Sequence, residues 1–198
     1  MPAIFPIVEG HGEVEAVPIL LRRLASEQLG LHTLHCLPPF RLPRSKLMNE
    51  ADLSRAIALG RLKMRDLDGP HLILVIMDAD DACPVDVVRA LHTQHRALLV
   101  AARTSIVLAV REYEAWFLAA NMSEADHRNL RAATPVHANP EQVANPKAVF
   151  ERDFLKAGYT YSETVDQPRF TSCMNMVSAQ RAPSFDKLVR EVCSAFIV

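Results

Sequence analysis

A chain of 198 residues, 49% of them hydrophobic, is long enough for one full core with a small helical appendage. Its 22 Lys+Arg balance 23 Asp+Glu, so bulk charge announces no nucleic-acid binder, although ions held at an acidic site attract phosphates by themselves. Cys36, Cys83, Cys173 and Cys193 lie far apart without CxxC spacing, which argues against a zinc site or a disulfide frame and suits a reducing compartment. No stretch approaches the roughly 20 apolar residues of a membrane span, and the apolar start is too short for a signal sequence. A cytoplasmic protein without membrane association is expected.

In chain order, Ala3–Val8 (AIFPIV) reads as a buried strand with Pro6 as a blemish. Glu9-Gly10-His11-Gly12 reads as a turn, with His11 an exposed loop residue. Val17, Leu20, Leu21 and Leu24 then recur at the spacing of an amphipathic helix, which tolerates Pro18 only in its first turns. Residues 33–37 predict a second strand ended by Pro38-Pro39, and 40–46 (FRLPRSK) a basic loop. A helix is expected over 51–64. Residues 71–77 (HLILVIM) form a continuous apolar run between turn signals, as in a parallel strand buried on both faces. It runs straight into Asp78-Ala79-Asp80-Asp81. A helix over 84–100 and a strand over 104–110 (TSIVLAV) follow, and then Arg111-Glu112-Tyr113-Glu114.

Strand and helix alternate, so the fold class is α/β, a mostly parallel sheet with helices on both faces. Beyond Ala120 the pattern turns helical and loop-rich. Asn145-Pro146 predicts an N-cap followed by proline at the first helical position, Gly158 closes that helix, and Ser184 caps a last one. The expected organisation is an α/β unit over 1–120 and a C-terminal helical extension over 121–198, packed on the same core.

Three predicted strands end alike: Val8 leads to Glu9, Met77 to Asp78, and Val110, through Arg111, to Glu112. Ligands of open α/β sheets sit outside the carboxyl ends of the strands. A single charge after a strand is ordinary; the argument rests on three such ends carrying two acid-x-acid pairs. Carboxylates gathered there repel unless a positive group joins them, and oxygen-only donors suit hard cations such as Mg²⁺ or Mn²⁺. An extended backbone points Asp78 and Asp80 to one side, as it does Glu112 and Glu114. Glu9 and Glu13 would share a helix face if the helix began at once.

These residues resemble a known family. Ile7-Val8-Glu9-Gly10-His11-Gly12-Glu13, a helix, and a strand closing in Asp78-Ala79-Asp80 are similar to the two signature motifs of the Toprim domain of topoisomerases, primases and overcoming-lysogenization-defect (OLD) nucleases. The OLD branch is nearer in style, with a second glutamate four residues on, here Glu13, and a later acidic pair matched in kind by Glu112 and Glu114. Nearly the whole chain, including Arg111 to Trp116, Asn145-Pro146-Lys147 and Ser184-Phe185, resembles a bacterial Toprim-like family, domain of unknown function 4276.

The resemblance implies Toprim-like architecture and a Mg²⁺- or Mn²⁺-dependent phosphoryl transfer, phosphodiester hydrolysis in DNA or RNA above all. Asp78 and Asp80 would hold the ion, with Glu9 as ligand or general base; Glu13, Glu112 and Glu114 would support a second ion. Lys147 would neutralise charge in the transition state, since OLD-type sites use a downstream lysine. Asp81 and Arg111 would be supporting residues. The resemblance also implies nucleic acid and a partner ATPase as partners, in a bacterial defence or mobile-element setting. Trp116 and Phe117 are expected in the core, and Arg41, Arg44, Lys46, Arg61, Lys63 and Arg65 on a solvated basic face. Two alternatives stay open: a catalytically silent module that binds nucleic acid or an ATPase, and a small-molecule phosphatase or nucleotidyl transferase. Against the second, there is no GxxxxGK(S/T) loop, and the Asp78-Ala79-Asp80 string lacks the following Thr or Gly of aspartyl-phosphate loops.

Overall fold

Strand β1 (Ala3–Val8), six fully buried residues, leads through Glu9 and Gly10 into helix α1 (His11–Leu29). The computed structural model describes residues 1–197. Two short strands follow, β2 (His35–Cys36) and β3 (Phe40–Arg41), then a single turn α2 (Arg44–Leu47). Helix α3 (Glu50–Met64) is capped by Asn49, whose side chain accepts from the Asp52 N–H at 3.1 Å. Strand β4 (His71–Asp78), helix α4 (Pro84–Ala101), strand β5 (Thr104–Ala109) and helix α5 (Glu114–Ala119) complete the alternation. A 3-10 turn at Pro140–Gln142 and helices α6 (Pro146–Phe154), α7 (Glu163–Cys173), α8 (Met176–Ala179) and α9 (Pro183–Phe196) follow.

All strands run parallel in one sheet of order β2-β1-β4-β5, with β3 also pairing with β1. β2 pairs with the start of β1 (Ala3 opposite His35) and β3 with its end (Val8 opposite Arg41), so the two share one edge, interrupted by Pro38 and Pro39. Prolines donate no ladder hydrogen bond, which ends the pairing after Leu37, whose N–H still reaches the Ile4 carbonyl at 2.9 Å. Of the expected strand over 33–37 only His35–Cys36 forms a strand. Alternate side chains feed two cores. Ile4, Val8, Leu72, Leu74, Ile76 and Val107 join residues of α1, α5, α6, α7 and α9 on one face. Phe5, Ile7, Ile73, Val75, Met77 and Ile106 pack against α3 and α4 on the other. Trp116 and Phe117 are buried on the first face, Trp116 donating from Nε1 to Ser184 Oγ at 2.8 Å.

Four local expectations are corrected. Residues 40–46 hold β3 and the start of α2 instead of a plain loop. Helix α1 begins at His11, so Pro18 sits well inside it; the helix survives on its buried face, Val17, Leu20, Leu21 and Leu24. Gly158 does not close α6, which ends at Phe154; it takes a left-handed conformation (φ 83°) in the turn beyond. Ser184 lies inside the first turn of α9, with Ala182 at the cap; its hydroxyl accepts from Trp116 and its N–H donates to Glu141. The N-cap at Asn145 is as expected, accepting from the Ala148 N–H at 3.0 Å.

Candidate metal centre

β1 and β4 lie side by side in register, Val8 opposite Ile76, so their carboxyl ends deliver Glu9 and Asp78 to one edge. The Asp78 N–H donates to Glu9 Oε2 at 3.3 Å. Beyond the strand, Ala79 N–H still donates to Ala109 at 2.8 Å and Asp80 N–H to Arg111 at 2.9 Å. Both Asp80 (φ 49°) and Arg111 (φ 68°) are left-handed, an uncommon state for residues with side chains, and there the two chains turn apart. The extended backbone expected across Asp78-Ala79-Asp80 is therefore broken at Asp80. Asp78 is partly buried with Oδ1 shut off from water, whereas the Asp80 side chain is 57% exposed.

Glu13 and Glu114 form the inner part. Glu13 sits in the first turn of α1 and bends back, its Oε2 accepting from the N–H groups of Gly10 (2.6 Å) and Glu9 (2.9 Å). Its Oε1 is buried and has no partner. Glu114, the first residue of α5, accepts at Oε1 from the Tyr161 hydroxyl (2.7 Å) and Gln167 Nε2 (3.2 Å). Gln167 lies on α7, which approaches α1 closely at Gly12. A Cβ there would stand 2.3 Å from Gln167 Oε1 and 2.7 Å from the Glu163 carbonyl oxygen.

Burial governs the electrostatics. It pushes Glu13 up to about 7, against the pull of the Gly10 N–H and with repulsion from Glu9 and Glu114. It pushes Glu114 up to about 7 as well, opposed by the Tyr161 hydroxyl. Asp78 is raised well above the carboxylate range, by burial first and then by Glu13, Glu114, Glu9 and Asp80. Glu9 is raised by burial but held back by Arg44. Burial lowers Lys147, yet its bond to Glu163 and the charges of Glu163, Glu114 and Glu112 leave it above its usual value.

Glu9, Glu13, Asp78, Asp80 and Glu114 thus form one interacting group. Glu112 adds repulsion to Glu114 from the edge of this group, its Oε2 accepting the Lys147 N–H at the start of α6 (2.9 Å). Lys147 Nζ pairs with Glu163. The Asp81 side chain is 98% exposed and pairs with Arg111. Sequence reasoning missed Tyr161, Gln167 and Glu163, which carry no motif. It saw Arg44 only within a basic string, although Arg44 touches the acidic edge directly. His11 is exposed as expected, on α1 instead of a loop.

The donors are all oxygen, as a hard cation requires, and two buried carboxylate oxygens, Glu13 Oε1 and Asp78 Oδ1, lack any partner. As placed, no three carboxylate, imidazole or thiol side chains among the described residues converge tightly enough to enclose an ion. The residue types fit a divalent ion; the side chains would have to draw together to hold one.

The model of one family, described as a domain of unknown function (DUF4276), matches residues 8–192. No curated protein and no solved structure matches the chain. Among the described residues no helix is long and apolar enough to cross a membrane.

Proposed function

The chain belongs to the DUF4276 family, and we propose that it is a metal-dependent phosphoryl-transfer enzyme, a Toprim-type nuclease that hydrolyses phosphodiesters in DNA or RNA. One observation carries the reading: Glu13 Oε1 and Asp78 Oδ1 are shut off from water without a donor, inside a group of five carboxylates. Burying like charges together is costly unless protons or a cation compensate them. At the carboxyl edge of a parallel sheet, that compensation is most useful as a ligand site. An acid after the first strand, a helix, and an acid-x-acid pair on the neighbouring strand support the Toprim assignment.

In this reading Asp78, Asp80 and Glu9 hold Mg²⁺ or Mn²⁺, and Glu13 with Glu114 supports a second ion, with Glu112 at its margin. Bound ions would supply charge stabilisation to the attacking and leaving oxygens of an in-line displacement. Glu9, less deeply buried than Asp78, Glu13 and Glu114, acts as ligand or general base. Lys147, swung from Glu163, neutralises charge on the phosphoryl group. Arg111 orders Asp81 beside the pair. Nucleic acid is the proposed substrate and an ATPase the proposed partner, in a bacterial defence or mobile-element role.

Calorimetric titration with Mn²⁺, with and without a short oligonucleotide, tests this on wild type and Asp78→Asn. Wild type is expected to bind and the variant to lose binding while gaining thermal stability, because a buried repulsion is removed. Absence of binding by wild type in both conditions would overturn the metal-enzyme reading. A metal-binding protein inert on oligonucleotides but active on phosphate monoesters would shift the reaction to a phosphatase.

A further inference from the structure

Among the described residues, Arg44 is the cation that bridges the acidic edge. Its Nη1 lies 3.4 Å from Asp80 Oδ2 and 3.7 Å from Glu9 Oε2. The same guanidinium donates to the Asp78 carbonyl and, through Nη2 at 3.4 Å, to that of Ala79. One positive group thus spans the carboxylates at the ends of β1 and β4. The inner acids have no such partner: Glu13 accepts from backbone N–H groups, and Glu114 from a hydroxyl and an amide. Of the other nearby cations, Arg111 pairs with Asp81 and Lys147 with Glu163, while Arg41 adds positive charge near Glu9 without pairing to it.

We infer that Arg44 is a resident counter-cation of this site: it competes with the divalent ion for Glu9 and Asp80 and leaves them when the ion enters. The inference rests on the metal-centre reading above. Three features support it. Both carboxylate contacts are longer than an ordinary charge-assisted hydrogen bond, so the guanidinium bridges the two acids without locking onto either. Arg44 belongs to a single helical turn behind a two-residue strand, an anchorage that permits a side chain to withdraw. A divalent ion attracts each carboxylate twice as strongly as a guanidinium at equal distance, an attraction that favours the exchange against the cost of dehydrating the ion.

The test compares Mn²⁺ affinity of the full chain in wild type, Arg44→Gln and Arg44→Lys. Glutamine keeps a donor for the Asp78 carbonyl but removes the charge; lysine keeps the charge. Arg44→Gln is expected to bind Mn²⁺ about three- to tenfold more tightly, the size set by releasing a partly exposed ion pair, and Arg44→Lys within about twofold of wild type. Unchanged or weaker binding by Arg44→Gln, with wild type binding, overturns the competition and leaves the metal centre standing. No binding by either protein overturns both. Should the glutamine variant fail to fold, the side-chain N–H resonance of Arg44 in wild type decides. It is expected to move as Mg²⁺ is added, and constancy up to saturation overturns the inference.

Discussion

The acidic edge has an outer and an inner half that handle the same problem differently. Outside, Glu9 and Asp80 keep contact with solvent and share Arg44, so charge is met by charge. Inside, Glu13 and Glu114 are only 3% exposed and meet N–H, hydroxyl and amide donors, with protons supplying the remaining compensation. Asp78 joins the halves, its N–H on Glu9 and its carboxylate pressed by Glu13 and Glu114. The contrast teaches that a rim can be kept charged cheaply by water and one arginine, whereas an interior carboxylate is poised to trade its proton for an ion.

The largest test of that difference is pH. Glu13 and Glu114 ionise near 7 in the folded chain against an ordinary 4.5, so the native state holds protons that the unfolded chain has released. Their contribution is complete below about pH 4.5 and is lost as pH rises to about 7, on the order of 3 kcal/mol for each group. Urea unfolding in chelator is therefore expected to give a markedly less stable protein at pH 8 than at pH 5. Glu114→Gln should flatten the slope only in part, because Glu13, Asp78 and Glu9 are raised as well, and saturating Mn²⁺ should restore stability at pH 8. A metal-free stability that rises from pH 5 to 8 would mean the inner acids are not proton-compensated.

A smaller effect tests how the inner half is seated. Gly12→Ala would gain helix propensity of about 1 kcal/mol in an open helix, but here the new methyl meets Gln167 and the Glu163 carbonyl. A glutamine end can swing away; a backbone oxygen moves only with α7. A net loss of about 1–2 kcal/mol in chemical denaturation is expected, together with a weakened Gln167 bond to Glu114. Stability equal to wild type would show that α7 yields freely and that the seat is soft.

These contrasts mark what the sequence exposes. The sheet was legible because β1 and β4 are uninterrupted apolar runs, and runs of that kind signal strands covered on both faces. Glu9 and Asp78 were legible because a strand end fixes where the next residue goes. Glu13 was legible by spacing, although the expected shared face gave way to a carboxylate bent back over the helix start. Tyr161 and Gln167 were not legible: they reach Glu114 from 47 and 53 residues away, and no local pattern encodes such a contact. Arg44 was hidden by a string of basic neighbours, and its meaning depends on two-residue pairing of β3 with β1. The left-handed turn at Asp80 was equally invisible, since nothing in Asp-Ala-Asp-Asp demands it.

The smallest effect belongs to Asp81, and its smallness is the test. Asp81 extends the acidic string and was expected to support the pair beside it. Its side chain is 98% exposed and its single partner, Arg111, is itself a third exposed. An ion pair of that kind is screened by water and salt and holds two long side chains at an entropic cost. Asp81→Asn is therefore expected to leave the melting temperature unchanged and Mn²⁺ affinity within about twofold of wild type. By contrast Asp80→Asn, one residue nearer, removes a contact of Arg44 and a proposed ligand. If Asp81→Asn weakened Mn²⁺ as much as Asp80→Asn, the boundary of the site would move outward past the left-handed turn. The turn would then serve to bring Asp81 to the ion, and Arg111 would take over the competing role assigned to Arg44.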